Sequence, residues 1–269
     1  MNNILIVGCG HMGTALLASW HKKTSFVFSV IEPNNFIDIK KKYSKKVAVF
    51  KSSKEIKNLK KFDTIIFAIK PNIAQDVVEK FNVDLKRNVL IISIIAGKKI
   101  SFLKQSLGSN HQIVRVMPNM PALVEKGMSC LVCNKFTSKK NIRLSTMLFK
   151  KVGEIIWLKK ESDIDKITAV SGSGPAYYFL FIQFLELAAK ELGLSSAIAK
   201  KLVYQTAFGS MKLLENDQRT AKQLQETIAV KGGTTEAAIK VLNHNNLFKK
   251  IIKKAIKEAF KHSIKLGKY

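Results

Sequence analysis

The first half of the chain alternates short apolar runs with segments of helical spacing. Continuous runs rich in β-branched residues are typical of strands buried on both faces, as in a parallel sheet covered by helices. We predict strands at residues 4–7, 26–31, 47–50, 64–69, 89–95 and 113–117, and helices at 14–21, 36–43 and 55–61. A further apolar stretch at residues 128–133 is strand-like. This half is therefore predicted to form an α/β domain.

The pattern changes at about residue 160, beyond which every periodic segment has helical spacing. Predicted helices cover residues 176–192, 196–215, 220–229, 235–242 and 247–266. The last helix carries lysines between its apolar positions, which fits a basic membrane-surface helix or, as we prefer, a helix docked on the core with a solvated lysine face. We therefore predict two domains: residues 1–160 form the α/β domain and residues 161–269 an all-helical domain.

The charge of the chain points first to an anionic partner. Its 269 residues carry a formal net charge of +27, which is common in proteins that bind nucleic acid or membranes. However, 42 of the basic residues are lysine and only four are arginine, the residue that recognises bases and phosphates through its planar fork. We expect no nucleic-acid or membrane partner, and, without a signal-like segment, a cytoplasmic protein.

The three cysteines, Cys9, Cys130 and Cys133, are too few for a disulfide framework. The Cys130–Cys133 pair has the spacing of a metal or redox motif. It lacks a second pair or a nearby histidine to complete a zinc site, and it lies in a strand-like stretch rather than at the start of a helix. We expect structural cysteines and no metal.

A glycine motif follows the first predicted strand and precedes the first predicted helix. Gly8, Gly10 and Gly13 match the pattern G-x-G-x-x-G in the strand–turn–helix context that dinucleotide binding requires. In this motif the first glycine permits the tight turn, the second lets the pyrophosphate approach, and the third lets helix and strand pack closely. Glu32 ends the second strand at the position where an acid binds the ribose 2′-OH and favours NADH. Asn34, Asn35 and nearby lysines could instead hold a 2′-phosphate.

Two further glycine-rich stretches lie in the helical half, at residues 170–177 and 230–235. In the second, Gly232 and Gly233 could orient free N–H groups, and Thr234 or Thr235 could cap the following helix. Such a nest at a helix N-terminus suits an anion, for example a substrate carboxylate. Taken alone, the first stretch could instead form a tight contact between domains or subunits, and the second would more often be an ordinary loop.

Together these residues resemble pyrroline-5-carboxylate reductase over almost the whole chain. The resemblance rests on six motifs in the family's order: residues 8–13, 68–71, 93–97, 115–121, 171–177 and 232–235. It implies an N-terminal Rossmann-type domain, an all-α C-terminal dimerisation domain that interleaves with a second subunit, and a homodimer or decamer. It also implies reduction of 1-pyrroline-5-carboxylate, a small imino acid, to L-proline with NADPH or NADH, the last step of proline biosynthesis. The family resemblance favours NADPH as the cofactor, whereas the acid at Glu32 favours NADH.

The resemblance also assigns site residues. Thr235 would place its hydroxyl near the imine nitrogen as the catalytic residue, and the substrate would contact Val230, Lys231, Gly232, Gly233, Thr234, Asn119 and Ser173. The cofactor would contact Val7, Gly8, Cys9, Gly10, His11, Met12, Gly13, Glu32, Asn34, Ser53, Ala68, Ile69, Lys70, Pro71, Ile95, Ala96 and Gly97.

The chain departs from the family pattern at two places. His11 replaces the usual asparagine, and Val230 and Lys231 replace the usual Ser-Pro before the glycine pair, which removes a hydroxyl from the carboxylate site. A β-hydroxyacid dehydrogenase remains an alternative, but it would carry a catalytic lysine where residues 171–178 have none. A non-enzymatic binder of nucleic acid or membranes would leave the glycine loops unexplained.

Overall fold

The computed structural model describes residues 2–82, 85–86, 88–108 and 111–267. Its strands are β1 (Asn3–Val7), β2 (Val27–Ile31), β3 (Val47–Phe50), β4 (Thr64–Phe67), β5 (Leu90–Ser93), β6 (Gln112–Met117), β7 (Gly127–Cys133) and β8 (Gly153–Trp157). The helices of the first part are α1 (His11–Lys23), α2 (Phe36–Tyr43), α3 (Ala74–Val78), α4 (Ile100–Leu107), α5 (Lys139–Lys150) and α6 (Asp163–Ile167). Those that follow are α7 (Gly174–Glu191), α8 (Ser196–Asn216), α9 (Ala221–Ile228), α10 (Thr234–Leu242) and α11 (Leu247–Leu266).

The eight strands form one sheet in the order β3-β2-β1-β4-β5-β6-β7-β8. Neighbouring strands are parallel except β6 and β7, whose connection is too short for the crossover that a parallel pair needs. The strand order reverses direction beside β1, so β1 and β4 open a crevice at their carboxyl ends. This arrangement, followed by helices, confirms the predicted fold class.

Two apolar clusters cover the two faces of the sheet. One packs α1 and α5 on one face, with Trp20 fully buried; the other packs α3 and α4 on the opposite face around Phe67 and Phe81. Burial on both faces explains why the strands read as unbroken apolar runs.

Several elements differ from the sequence prediction. Residues 55–61 do not form a helix: two 3₁₀ turns lie at Ser53–Glu55 and Leu59–Lys61. Between them Asn58 is extended, and its side chain accepts the N–H of Lys60, which competes with helical hydrogen bonding. Four helices of the first part, α3, α4, α5 and α6, and the strand β8 were not predicted.

The contacts of the chain divide it into two compact units. The first comprises residues 1–173 together with 259–269, and the second comprises residues 174–258. The last turns of α11 thus belong to the first unit. The proposed boundary at residue 160 was placed by pattern alone and stays a prediction.

Candidate functional site

The glycine loop between β1 and α1 meets the three steric demands of a dinucleotide loop. Gly8 has φ +90°, and a Cβ atom there would lie 2.6 Å from the carbonyl oxygen of Ala68. A Cβ atom on Gly13 would lie 2.5 Å from the carbonyl oxygen of Gly8, so helix and loop pack in direct contact. Gly10 is different, because a Cβ atom there would meet nothing within 4 Å. Of the three glycines of this loop, only Gly10 leaves open space beside the backbone, as the approach of a pyrophosphate requires.

The start of α1 offers positive charge to that space. Gly10 is the N-cap and supplies no side-chain cap, so the N–H groups of the first turn keep their capacity for an anion. The loop itself is braced from within, because the Thr14 hydroxyl donates a 2.7 Å hydrogen bond to the carbonyl oxygen of Cys9. The residues present therefore fit a dinucleotide.

A cavity of about 1080 Å³ lies against this loop. Its lining includes many of the predicted cofactor residues: Val7, Gly8, Cys9, Gly10, His11, Glu32, Asn34, Ser53, Ala68, Ile69 and Lys70. The others, namely Met12, Gly13, Pro71, Ile95, Ala96 and Gly97, do not line it. Asn35, which we named beside Asn34, also lines it, as do residues that we did not single out, among them Asp38, Lys42, Lys51 and Ser52. Their position could have been read from the sequence, since they follow β2 and β3 at the same edge of the sheet.

Glu32 is buried and turned towards backbone N–H groups rather than solvent. Its Oε2 accepts the N–H of Cys9 at 2.6 Å, and its Oε1 accepts those of Asn34 at 2.9 Å and Asn35 at 3.1 Å. The carboxylate therefore ties the glycine loop to the segment that leads into α2.

Cys9 is not a nucleophile at neutral pH. Burial raises the pKa of its thiol to about 11, and the charge of Glu32 adds to the increase, against the opposing hydrogen bond of Thr14. Because the thiolate is the reactive form, this cysteine stays inert. Cys130 and Cys133 lie on β7, and burial likewise raises the pKa of both thiols.

The loop at residues 230–235 corrects one prediction. Gly232 and Gly233 do not hold free N–H groups: Gly232 donates to the carboxylate of Glu236 at 2.8 Å and Gly233 to the carbonyl of Val230 at 3.0 Å. Gly233 is the N-cap of α10, and Thr234 and Thr235 form its first turn instead of capping it. The reason is that Glu236, at the third helical position, reaches back over the loop.

The first N–H groups left available in this loop therefore lie two residues later than predicted, from Thr234 onward. Thr234 and Thr235 are the first two residues of α10, where N–H groups have no acceptor within the helix. Val230 is 61% exposed, and Lys231 is also exposed. The side chain of Thr235 is half-buried.

Asn119 and Ser173 have structural partners within the first unit. Asn119 donates to the carbonyl and hydroxyl oxygens of Ser171 and accepts the N–H of Met128 at 2.8 Å, so it braces β7 against residue 171. Ser173 ends a single π-helical turn, Thr168–Gly172, and its N–H donates to Thr168. π-Helical turns recur at functional sites.

Helices α7 and α8 expose large apolar side chains that a lone chain would leave in water. These include Tyr178, Phe179, Phe181, Phe184, Leu202, Phe208 and Met211. Contiguous apolar surfaces of this kind mark sites of association with other proteins.

In the described part of the chain, no helical segment combines the length and the hydropathy that spanning a membrane requires. Nor do His, Cys, Asp or Glu side chains there gather in groups of three or more that could hold a metal ion.

Comparison with known proteins gives the two halves separate matches. Residues 161–266 match the family model for pyrroline-5-carboxylate reductase dimerisation, and residues 3–97 match that for NADP oxidoreductase, coenzyme F420-dependent. A pyrroline-5-carboxylate reductase from Pseudomonas aeruginosa is 38% identical over 183 residues, which cover 68% of this chain and 67% of that protein.

Two solved structures superpose on this chain over nearly its whole length. A pyrroline-5-carboxylate reductase from Coxiella burnetii superposes with a TM-score of 0.88 at 31% identity, covering 100% of this chain and 99% of the other. The Plasmodium falciparum pyrroline carboxylate reductase with NADP bound gives a TM-score of 0.85 at 30% identity, covering 99% and 98%. The chain, with its glycine loop and its C-terminal dimerisation domain, belongs to the pyrroline-5-carboxylate reductase family.

Proposed function

We propose that this protein reduces 1-pyrroline-5-carboxylate to L-proline with NADPH or NADH. The observation that carries the proposal is the glycine loop, in which Gly8 and Gly13 have no room for a side chain while Gly10 lies open to the cavity. The identity of the substrate is inferred from the chain's membership of the family. A hydroxyacid dehydrogenase is disfavoured, because residues 171–178 contain no lysine to act as its catalytic base.

The reaction needs little acid–base machinery from the protein. When bound, the reduced nicotinamide supplies a hydride that forms a C–H bond at the imine carbon, and the C=N π electrons pass to the nitrogen. A protonated imine is already electrophilic and ends as the secondary amine of proline. The protein acts mainly by positioning, which can lower a barrier by about 7–11 kcal/mol.

The cofactor is held by backbone groups. The N–H groups of α1 next to Gly10 face the pyrophosphate, and the positive end of the helix favours its charge. The strand ends at Ala68, Ile69 and Lys70 line the neighbouring wall of the cavity. Residues 95–97 follow β5 at the same edge of the sheet and extend the proposed nicotinamide side.

The substrate is held by the loop before α10. The N–H groups of Thr234 and Thr235 bind the carboxylate, and the Thr235 hydroxyl lies near the imine nitrogen. Lys231 contributes positive charge, and Val230, Gly232 and Gly233 shape the loop. The family resemblance also names Asn119 and Ser173 as substrate contacts, and these two assignments stay predictions.

The protein assembles as a homo-oligomer through its C-terminal helices, as a dimer or a decamer built from dimers. The exposed side chains of α7 and α8 form the contact, which removes this apolar surface from water. We further propose that the enzyme is cytoplasmic and that it binds neither nucleic acid nor membranes.

The test is an assay of purified protein with 1-pyrroline-5-carboxylate and either NADPH or NADH. Loss of the near-ultraviolet absorbance of the reduced nicotinamide, matched by formation of L-proline, is expected. Reactions with a β-hydroxyacid and the oxidised cofactor serve as the comparison. Turnover of the hydroxyacid alone would overturn the proposal.

A further inference from the structure

Arg115 and Glu161 form an ion pair whose acid also holds the start of α4. The Nη1 atom of Arg115 donates to Oε1 of Glu161 at 2.9 Å, and the same oxygen accepts the N–H of Ile100 at 2.8 Å. The side chain of Arg115 is 3% exposed and that of Glu161 is 28% exposed. A guanidinium buried this deeply requires an anionic partner, so the place of the Glu161 carboxylate is fixed from β6.

Glu161 supplies an acceptor that the N-cap of α4 cannot supply. Ile100 is the first residue of α4, and Lys99 is its N-cap. The first N–H groups of a helix have no acceptor within it, and a lysine side chain offers donors only. The acceptor comes instead from a residue 61 positions later in the chain. The point at which α4 begins is therefore set by the Arg115–Glu161 pair.

The loop at residues 94–99 is held at both of its ends and in its middle. At its start, the N–H of Ile94 donates to the carbonyl of Phe67 on β4 at 3.0 Å. In its middle, Gly97 lies against the last turn of α11, because a Cβ atom on Gly97 would lie 2.8 Å from the carbonyl carbon of Leu266. At its end the loop runs into α4. Of these three attachments, the one at α4 depends on the carboxylate of a single side chain.

This loop lies at the edge of the sheet where the dinucleotide binds. Strand β5 is parallel to β4, and β4 to β1, so the residues after β5 stand next to the carboxyl ends of both. Arg115 lies at the same level of the sheet, since it pairs in register with Ser93, the last residue of β5. The adenosine ribose belongs at the end of β2 and the pyrophosphate at the glycine loop after β1, which leaves the ends of β4 and β5 for the nicotinamide half.

We propose that Glu161 is a positioning residue for the nicotinamide ring: by accepting the N–H of Ile100 while it is paired with Arg115, it fixes the loop at residues 94–99 against which the ring binds. Glu161 touches neither cofactor nor substrate in this role. The proposal deepens the proposed function and rests on it in placing the nicotinamide at this loop. Hydride transfer is sensitive to the loop, because a displacement of about 1 Å can slow a reaction about a hundredfold.

The experiment compares binding of the dinucleotide with the placement of its reactive ring. ADP-ribose, which lacks the nicotinamide, reports by calorimetry how well the rest of the dinucleotide binds. Single-turnover reduction of 1-pyrroline-5-carboxylate by bound NADPH or NADH reports hydride transfer. The fluorescence anisotropy of the bound reduced nicotinamide reports how firmly the ring is held when no substrate is present.

Glu161→Ala should slow hydride transfer about ten- to hundredfold and lower the anisotropy, while the dissociation constant of ADP-ribose stays within about twofold of wild type. Glu161→Gln keeps an oxygen that can accept both N–H groups, so it should restore hydride transfer to within about threefold of wild type. Asp163→Ala is the matched control, because Asp163 lies two residues further along the chain and pairs with the exposed Lys166 at 2.8 Å. It should behave as the wild type does.

Ile100→Pro tests the same link without unpairing the buried Arg115, which keeps the proposal testable even if the Glu161→Ala protein does not fold. Proline removes the N–H that Glu161 accepts, and it is tolerated at the first helical position after the extended Lys99. Ile100→Ala keeps the N–H but loses more of the apolar side chain. Hydride transfer should fall at least about tenfold in the proline variant and change by less than about threefold in the alanine variant.

Three results would each overturn the proposal: unchanged hydride transfer in Glu161→Ala, an equal loss in Asp163→Ala, or a parallel loss of ADP-ribose binding. Equal rates in the two Ile100 variants would do the same. If the anisotropy follows the expected pattern but the wild type does not reduce 1-pyrroline-5-carboxylate, the proposed function fails and the positioning role stands.

Discussion

The hydroxyl of Ser263 donates a 2.8 Å hydrogen bond to Oδ1 of Asp165, and both residues are buried. The bond joins the last turns of α11 to α6 within the first unit. Close beside it along the chain, Leu266 and Gly267 press against Gly97, the residue that ends the loop after β5. The C-terminal turn is therefore part of the packing that holds a predicted cofactor loop.

Loss of that hydrogen bond should destabilise the protein. Ser263→Ala leaves the Asp165 carboxylate buried without this donor, which we expect to lower the free energy of unfolding by about 1–3 kcal/mol. Ser101→Ala, at an exposed position of α4, is the control and should change it by less than about 0.5 kcal/mol. Denaturant titration measures both, and equal effects would contradict a special role for this bond.

Gly97→Ala should cost stability for two reasons. Its φ of +75° disfavours a side chain, and a Cβ atom would lie 2.8 Å from the carbonyl carbon of Leu266. Gly108→Ala isolates the cost of backbone strain from the cost of a steric clash, because Gly108 has φ +92° but open space around it. We expect Gly108→Ala to lower the free energy of unfolding by about 1–3 kcal/mol through backbone strain, and Gly97→Ala to lower it by more. Cofactor affinity should fall in the Gly97 variant alone.

Alanine substitutions at Gly10 and Gly13 should affect different properties, cofactor affinity in the first variant and stability in the second. Gly10→Ala meets no neighbour, so the protein should fold normally, but the methyl group blocks the pyrophosphate and should weaken cofactor binding at least about tenfold. Gly13→Ala drives a methyl group into the carbonyl of Gly8 and should reduce stability by about 1–3 kcal/mol. Thermal unfolding and calorimetry distinguish the two, and a destabilised Gly10 variant would count against the assigned roles.

Val230→Ser should restore a hydroxyl to the carboxylate loop. One additional hydrogen bond is worth about 0.5–1.5 kcal/mol, so KM for 1-pyrroline-5-carboxylate should fall about two- to tenfold. Val241→Ser is the matched control, because Val241 is an exposed valine of α10 outside the loop. An unchanged or higher KM in the Val230 variant would show that the loop does not hold the carboxylate in this way.

Glu236 should compete with the substrate carboxylate. The N–H of Gly232, and then Lys240, hold the pKa of its carboxyl below the ordinary value, so it is ionised at neutral pH. Glu236→Ala removes this charge and frees the N–H, which should lower KM. Because the folded-state pKa is depressed, the contact is present above the ordinary pKa and is lost as the pH falls through the lowered value.

The advantage of the Glu236 variant should accordingly disappear in acid. Steady-state kinetics across the pH range measures it. Glu226→Ala removes an equal charge from α9, where Glu226 pairs with Lys222 at 3.6 Å, and should leave KM unchanged. A lower KM in both variants would point to net charge rather than to the loop.

The sequence by itself determined the features that are local along the chain. The glycine motif, the unbroken strands of the first half and the amphipathic helices of the second depend on neighbouring residues, and the structure confirms the fold class they predict. The motif also fixed the roles of Gly8 and Gly13, because a tight strand–turn–helix connection imposes them wherever it occurs. The five-residue helix α3 escaped prediction because it holds too few residues to show a helical period. Strand β8 escaped because its residues alternate between exposed and half-buried positions and lack an unbroken apolar run.

Only the tertiary structure decided which groups those motifs leave free. Glu32 accepts the N–H of Cys9, 23 residues before it, and only the pairing of β1 with β2 brings the two together. Likewise, the contact of Gly97 with Leu266 joins residues that lie 169 positions apart in the sequence. Hydrogen-bonding capacity is shared among whatever groups the fold brings within reach, so a pattern can name a donor, but only packing determines whether that donor is already in use.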